Sequence, residues 1–404
     1  MKRKVWLSVL REMSTGKRRL SEQGNQIGME LQQGVQKSYK DIIDVSWGDA
    51  HALGMKPISF VRQVIAACLY PELLQSDRIP IDARLRAQRL LRVCDGGSVD
   101  GGVPSSPENI FICSGSQSAL MFILKLLSSG EGPSQMGVLN PMPTYPSFTL
   151  ALEVQGVAMV PYYLCEEEGW ALKIEELHRV LQNTKGHCSP RVLYIINPGN
   201  PTGHVQSRES IEEVIRFAAE EKLFLLADEV YQGSVHVEAM EFVSYKKVLS
   251  EMGPGYSDTV QLASFHSVSK GFMGECGLRG GYMELVNLDP EVMDVVRTLF
   301  SLSTCTAVTG QFALDIMVDP PQPGDPSYPT YSEEARSMAG MEADLLYCTR
   351  LLEEAGVCVG PGCEYGQQEG THHLRMCVMT PTENLEELLR RLKTFHLSFL
   401  SEFS

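Results

Sequence analysis

"RVLYIINPGNPTGHVQSRESIEEVIRFAAEEKLFLLADEVY", residues 191–231, decides the fold. Val192–Ile196 is an unbroken apolar run that ends at a turn built from Asn, Pro and Gly. A run with no polar alternation reads as a strand buried on both faces. "SIEEVIRFAAEEK" (210–222) then spaces its apolar residues by three and four, as a helix opened by Ser210 would. "LFLLADEV" (223–230) is a second apolar run, closing on two carboxylates. Two buried strands joined through a helix form a crossover unit, so they lie parallel in one sheet with helices on both faces.

The alternation extends outward. Upstream, "ENIFIC" (108–113) reads as a strand, "SQSALMFILKLL" (116–127) as a helix, "VAMVPYYL" (157–164) as a strand and "KIEELHRVLQNT" (173–184) as an amphipathic helix. Downstream come the strands "VQLASF" (260–265) and "GYMEL" (281–285). The expected class is α/β: a mainly parallel central sheet flanked by helices, with a smaller α+β domain. The expected division is an N-terminal arm and part of the small domain at 1–56, a large domain at 57–302 and a small C-terminal domain at 303–404. "DPPQPGDPSYPTY" (319–331) reads as a linker or surface loop. After it come a helix at 341–355, short strands around "VCVGPG" and "HHLRMCVM", and a long amphipathic helix N-capped at Thr382.

Composition limits the function. The chain has 404 residues, 43% of them hydrophobic, and a net charge of −15. A nucleic-acid partner needs a basic surface, and so does an anionic membrane surface, so neither is expected. The eleven cysteines form no CxxC pair, which points to buried thiols of a reducing compartment rather than a disulfide framework or zinc site. The first 19 residues carry seven Lys and Arg against one Glu. A transit peptide has that bias, but this stretch is poor in serine. A cytoplasmic protein with a solvated basic arm is expected, and mitochondrial import is the alternative.

In a parallel sheet, ligands sit beyond the carboxyl ends of the strands, and the polar residues concentrate there. Asn197 and Asn200 fall in a rigid Pro/Gly turn; they either face a ligand or serve only the local backbone. Asp228 ends a buried strand, where a carboxylate is costly unless paired. It is either an N-cap or the holder of a cation on a bound ring. "CSGSQSAL" (113–120) puts Gly and Ser at a strand-to-helix junction, an ordinary N-cap or a phosphate site. Lys270 and Arg279, in "SVSKGFMGECGLRGGY" (267–282), are either surface cations on a glycine-rich loop or a nucleophilic amine and an anion-binding fork. Taken together they describe one ligand: a carbonyl for Lys270, a ring cation for Asp228, a phenolic oxygen for Asn200 and Tyr231, and a phosphate. Pyridoxal 5′-phosphate has all four.

The motif order "SGSQSAL", "PTYP", "NPGNPTG", "ADEVY", "SVSKGFMGECGLRGGY" and "HHLRM" resembles that of the class I, fold-type I aminotransferases. "WGDAHALGMKPISFVRQV" (47–64), "LASFHSVSKGFMGECGLRGGY" (262–282) and "YGQQEGT" (365–371) are similar to the alanine aminotransferases among them. The resemblance implies the pyridoxal phosphate-dependent transferase fold type I, a homodimer, and transamination of L-alanine with 2-oxoglutarate to pyruvate and L-glutamate. It implies that Lys270 binds the cofactor aldehyde and shuttles the proton between Cα and C4′. By the same likeness Asp228 keeps the pyridine nitrogen protonated, Asn200 and Tyr231 bond its phenolic oxygen, and Tyr145 stacks on the ring. Ser116, Gln117, Ser267 and Arg279 would bind the phosphate. Arg375 would clamp the substrate carboxylate, with Gly48 and Asn200 beside it. His266, His372 and His373 read as polar loop or strand residues.

Two segments of the family pattern are absent. After Asp100 the family has a Gly-Ala-Tyr-Ser turn and a helix, whose tyrosine reaches the partner subunit's phosphate. Near 335–345 it has a longer helix and a further strand. Two other readings therefore stand beside the first. One is a catalytically impaired shortened form that pairs with a full-length aminotransferase. The other is a related pyridoxal phosphate enzyme with a different donor, such as a carbon–sulfur lyase or a kynurenine-type aminotransferase.

Overall fold

The structure is a computed structural model. It describes residues 15–37, 39–44, 57–90, 103, 105–235, 242–271, 273–302, 306–336, 351–352, 355–361, 374–376 and 382–403. The basic segment before residue 15, Gly48, the 365–371 motif, His372, His373 and the expected helix at 341–355, apart from 351–352 and 355, lie outside these residues, as do both junctions where family segments are absent, save 103 and 335–336.

In chain order the strands are β1 (Ile43–Asp44), β2 (Ile110–Cys113), β3 (Met136–Met142), β4 (Ala158–Tyr163), β5 (Ser189–Ile196), β6 (Phe224–Asp228), β7 (Leu262–Ser267), β8 (Gly281–Val286), β9 (Val357–Cys358), β10 (Gly360–Pro361) and β11 (Leu374–Arg375). Seven of them form one sheet in the order β2-β8-β7-β6-β5-β3-β4. The β3/β5, β5/β6 and β6/β7 pairs are parallel, while β8 runs antiparallel to both of its neighbours. Strand β3 has no counterpart in the sequence reading. Its run "MGVLNPM" is broken by Gly137, Asn140 and Pro141, so no apolar period marks it, although nearly every residue in it is buried.

Side chains alternate across this sheet, as the pleat requires. Val192, Tyr194 and Ile196 of β5, with Leu226 of β6 and Phe265 of β7, pack under the helix Ser116–Leu127 through Ala119, Leu120, Ile123 and Leu124. Leu193, Ile195, Leu225 and Ala227 face the other way, against the helices Ile174–Asn183, Arg208–Glu221 and Tyr245–Glu251. The helix expected to open at Ser210 begins earlier. Ser207 is its N-cap, accepting a 3.2 Å hydrogen bond from Ser210 N. Both serines fit the capping pattern in sequence, and the cap forms where the backbone is still extended.

The chain divides into two compact units, one of Lys56–Pro141 with Ser147–Arg336, the other of Met1–Met55, Met142–Pro146 and Ser337–Ser404. The boundary expected after 302 therefore lies at 336. The cause is a third core, in which Phe312, Ile316 and Tyr331 pack with Ile58, Phe60, Val64 and Ala83. The stretch read as a linker also ends in a helix, Tyr328–Arg336. Pro329 sits in its first turn, where a missing N–H costs little. Asp82 accepts from Ser327 N and Oγ at 3.0 and 3.1 Å, and Glu334 accepts from Ser59 N and Oγ at 2.8 and 2.7 Å, fixing that helix to its neighbours. The helix Val308–Val318 meets the chain after Arg279 backbone to backbone. A Cβ at Gly280 would lie 2.6 Å from the Gly310 carbonyl, and one at Gly310 would lie 2.7 Å from the Arg279 carbonyl.

In the smaller unit β1 pairs with β9 in parallel and β10 with β11 antiparallel. The helices Thr15–Gln32 and Thr382–Phe403 supply Ile27, Leu388 and Phe395 to a core shared with Tyr39, Leu352 and Val357. Arg391 clasps Asp41 at 2.7 Å.

Candidate active site

Because β8 is antiparallel to both β2 and β7, those two strands run the same way, as do β5 and β6. The carboxyl ends of β2, β5, β6 and β7 therefore meet on one edge of the sheet, joined there by the start of β8. In register, Cys113, Gly281 and Ser267 form one row across β2, β8 and β7, and Asp228 lies opposite Phe265 two residues before Ser267. Topology thus brings five segments that are remote in sequence to one edge.

The anion end is built from backbone. Gly115 takes φ +96°, open to glycine, and turns β2 into the helix Ser116–Leu127. Ser116 and Gln117 stand in the first turn, whose N–H groups have no acceptor within the helix and carry the positive end of its dipole. A Cβ at Gly115 would lie 2.5 Å from Arg279 Nη2, and one at Gly281 would lie 2.7 Å from Ser116 N. The Arg279 guanidinium donates to Ser114 O and Cys276 O, each at 2.8 Å, and reaches Ser269 Oγ at 3.5 Å. It is aimed by carbonyls, and no carboxylate among the described residues pairs with it. Ser267, 1% exposed, accepts from Ser269 N at 3.4 Å.

Asp228 is buried. Burial pushes its carboxyl up to about 6, against the opposing pull of the Tyr194 hydroxyl, the Val230 N–H and the Lys270 charge. Tyr194 Oη donates to Oδ2 at 3.0 Å and Val230 N to Oδ1 at 3.4 Å. Lys270, half-buried, follows β7 by three residues. Asn200 Nδ2 donates to Tyr231 Oη at 3.4 Å. The neighbouring Asn197 is structural on its oxygen side: Oδ1 accepts from Gln206 N at 3.0 Å, and its backbone N–H donates to Asp228 O at 3.0 Å.

Ser116, Gln117, Asn200, Asp228, Tyr231, Ser267, Lys270 and Arg279 all belong to the larger unit and the loops at this edge. Tyr145, 37% exposed, sits just before the helix Pro146–Val154, and Arg375 lies on β11 of the smaller unit. His266 is buried on β7, and burial lowers it to about 4, so it stays neutral.

A model of the aminotransferase class I and II family matches residues 96–347, which takes in every one of these edge residues. The chain belongs to that family. Among its relatives are alanine aminotransferase 2 of Xenopus tropicalis, 46% identical over 93% of this chain and 85% of the relative, and alanine aminotransferase 1 of Homo sapiens, 43% identical over 94% and 91%. The first alignment runs over 446 residues, more than the 404 of this aminotransferase, so the relative carries internal segments that are missing here. The solved alanine aminotransferase from Pyrococcus furiosus shares the fold, with a TM-score of 0.68 at 20% identity, covering 91% of this chain and 95% of that one.

Pyridoxal 5′-phosphate is the cofactor of this family, and the residues present fit it. The cradle at Gly115, whose positive φ favours glycine, and Gly281, where a Cβ would strike the Gly115 and Ser116 backbone, meets the fork of Arg279 where a phosphate would sit. The buried Asp228, short of donors, suits a ring cation. Two contacts carry no plain mark in the sequence of this aminotransferase. Tyr194 looked like one more apolar residue of its strand. Arg62 donates from Nε and Nη2 to Glu275 at 2.8 and 2.6 Å, pinning the loop that carries both Lys270 and Arg279. The signal for that clamp was Glu275 itself, the one carboxylate in a loop whose other charges are Lys270 and Arg279.

Proposed function

We propose that this chain is a transaminase that moves the amino group of L-alanine to 2-oxoglutarate, giving pyruvate and L-glutamate. The observation that carries the reading is the buried carboxylate of Asp228, at the same sheet edge as Lys270 and the Arg279 cradle. The relatives named alanine aminotransferases, aligned over more than nine-tenths of the chain, support the choice of donor.

When bound, the cofactor supplies an electron sink for the charge that develops at the substrate Cα. Asp228 holds the proton on the ring nitrogen, and Asn200 and Tyr231 orient the phenolic oxygen. The first-turn N–H groups of Ser116 and Gln117, the Ser267 hydroxyl and the Arg279 guanidinium bind the phosphate. Lys270 would hold the cofactor at its carbonyl carbon, and its amine would move the proton between the substrate Cα and C4′, as general base and then general acid. By the family likeness Tyr145 would be the aromatic residue for the ring. The family likeness assigns the substrate carboxylate to the guanidinium of Arg375, with Gly48 and Asn200 as its further contacts.

A homodimer is part of the proposal. On the helix Pro290–Ser301 and its cap, Val292, Val295, Leu299 and Leu302 are 39–79% exposed and recur every three or four residues. Such a stripe is an unpaired helix face. Light scattering should give twice the chain mass, and Val295→Glu should give the monomer.

The deciding experiment is a coupled alanine/2-oxoglutarate assay on the purified protein with added cofactor, beside Lys270→Ala. Turnover should fall by about four orders of magnitude in the variant. Activity with other donors but not with alanine would overturn the substrate assignment. Full turnover by the homogeneous protein would exclude a subunit that acts only beside a longer partner.

A further inference from the structure

Tyr194 is fully buried in the middle of β5, and its ring stacks on Phe148 with centroids 3.5 Å apart and planes 18° apart. Phenylalanine would fill that space equally well. A buried phenol hydroxyl costs free energy unless it is bonded, so its partner says what the oxygen is for. The buried Tyr162 shows the ordinary solution, since its hydroxyl donates to the Tyr194 carbonyl at 2.9 Å and ties backbone to side chain. The Tyr194 hydroxyl instead donates to Asp228 Oδ2 at 3.0 Å.

The sheet register makes this contact. Ile196 lies opposite Asp228 and Tyr194 opposite Leu226, so Tyr194 and Asp228 project from the same face of adjacent strands, one diagonal apart. With Val230 N at the other oxygen, the carboxylate is held at both ends and its plane is fixed. Two donors fill only half of a carboxylate's acceptor sites.

We propose that Tyr194 is a positioning residue for the cofactor ring nitrogen: its hydroxyl keeps Asp228 ionised and in plane, leaving the carboxylate's remaining lone pairs to the ring N–H. The inference rests on the assignment of Asp228 made above. It is consistent with the opposing influences on that carboxyl, which burial raises and the phenol lowers.

The test uses the full chain loaded with pyridoxal phosphate labelled with ¹⁵N in the ring, as wild type, Tyr194→Phe and Asp228→Asn. The nitrogen shift of Tyr194→Phe should move part of the way from wild type toward that of Asp228→Asn. Its cofactor dissociation constant should rise about tenfold, the scale of a hydrogen bond to a charged group. In the alanine assay kcat should fall while KM holds. A change in melting temperature alone, with shift and affinity as in wild type, would reduce the hydroxyl to packing and overturn the proposal. If Asp228→Asn also leaves the shift and affinity unchanged, the carboxylate assignment itself falls, which is a different failure. Should Tyr194→Phe not fold, 3-fluorotyrosine at position 194 supplies a stronger donor of nearly the same shape. It should move the nitrogen shift the opposite way, and no movement would sink the idea.

Discussion

Asp228 and Glu229 are neighbours in sequence and both buried, yet they serve opposite faces of one sheet. Glu229 is matched by protein donors, with Ser264 Oγ on one oxygen and Tyr245 N on the other, each at 2.8 Å. On the same face Lys246 lies 2.8 and 2.9 Å from the two oxygens of Glu284, with Ser105 as a further partner. Charge on that face is closed upon itself. On the face under the helix Ser116–Leu127, Asp228 has two weaker donors and a raised proton affinity. Both faces bury ions, but the donors to Asp228 are longer and its proton affinity is raised, and that weaker satisfaction marks a ligand site better than burial or charge does.

The largest expected effect tests the closed face. Lys246→Ala strands Glu284, 2% exposed, and should cost about 3–5 kcal/mol of stability in a denaturant titration. Cofactor affinity of the folded fraction should not change, and a parallel loss of affinity would break the separation between the faces.

The open face gives a pH signature of the opposite kind. With the folded Asp228 at about 6 against 3.8 in water, the folded state holds its proton more tightly than the unfolded one. The cofactor-free protein should therefore pay no penalty below about pH 4, and about 2–3 kcal/mol once pH passes 6. Asp228→Asn should remove that penalty, melting higher than wild type at pH 7 and alike at pH 4. Adding cofactor should reverse the order at pH 7, because the ring cation then pairs with the carboxylate. Equal melting curves at both pH values would show that Asp228 is as well satisfied as Glu229.

Arg62→Ala asks whether Glu275 resembles its closed counterparts. Glu275 is 1% exposed but Arg62 is about half exposed, so the loss should be about 1–2 kcal/mol. Cofactor affinity should fall several-fold, since the Lys270–Arg279 loop loses its anchor. Smallest is Ser207→Ala, which removes an N-cap bond to Ser210 N and no bond to either buried carboxylate. About 1 kcal/mol and unchanged cofactor binding are expected, setting the scale for a purely local change.

The sheet and its strand-end polar residues were legible in sequence because buried parallel strands read as unbroken apolar runs, and few residues survive at their ends except for a reason. Asp228, Lys270 and Arg279 stood out that way. Tyr194 did not, because a phenol in an apolar run looks like core until the register supplies its neighbour. Strand β3 was lost to Pro141 and Asn140, which erase the period that the neighbouring strands keep. The helix Tyr328–Arg336 was lost to its prolines, since Pro329 reads as a breaker unless the first-turn position is known. The unit boundary was misplaced because Phe312 and Ile316 carry no mark of which core they join.

The contact between Gly280 and Gly310 constrains any sequence that keeps this site. The atoms that a new side chain would strike are carbonyl oxygens, present whatever residues surround them. A second substitution can shrink a side chain, but it cannot shrink a peptide group. In a mutational walk toward new donors or acceptors the two positions are therefore fixed points, and every accessible path must go around them.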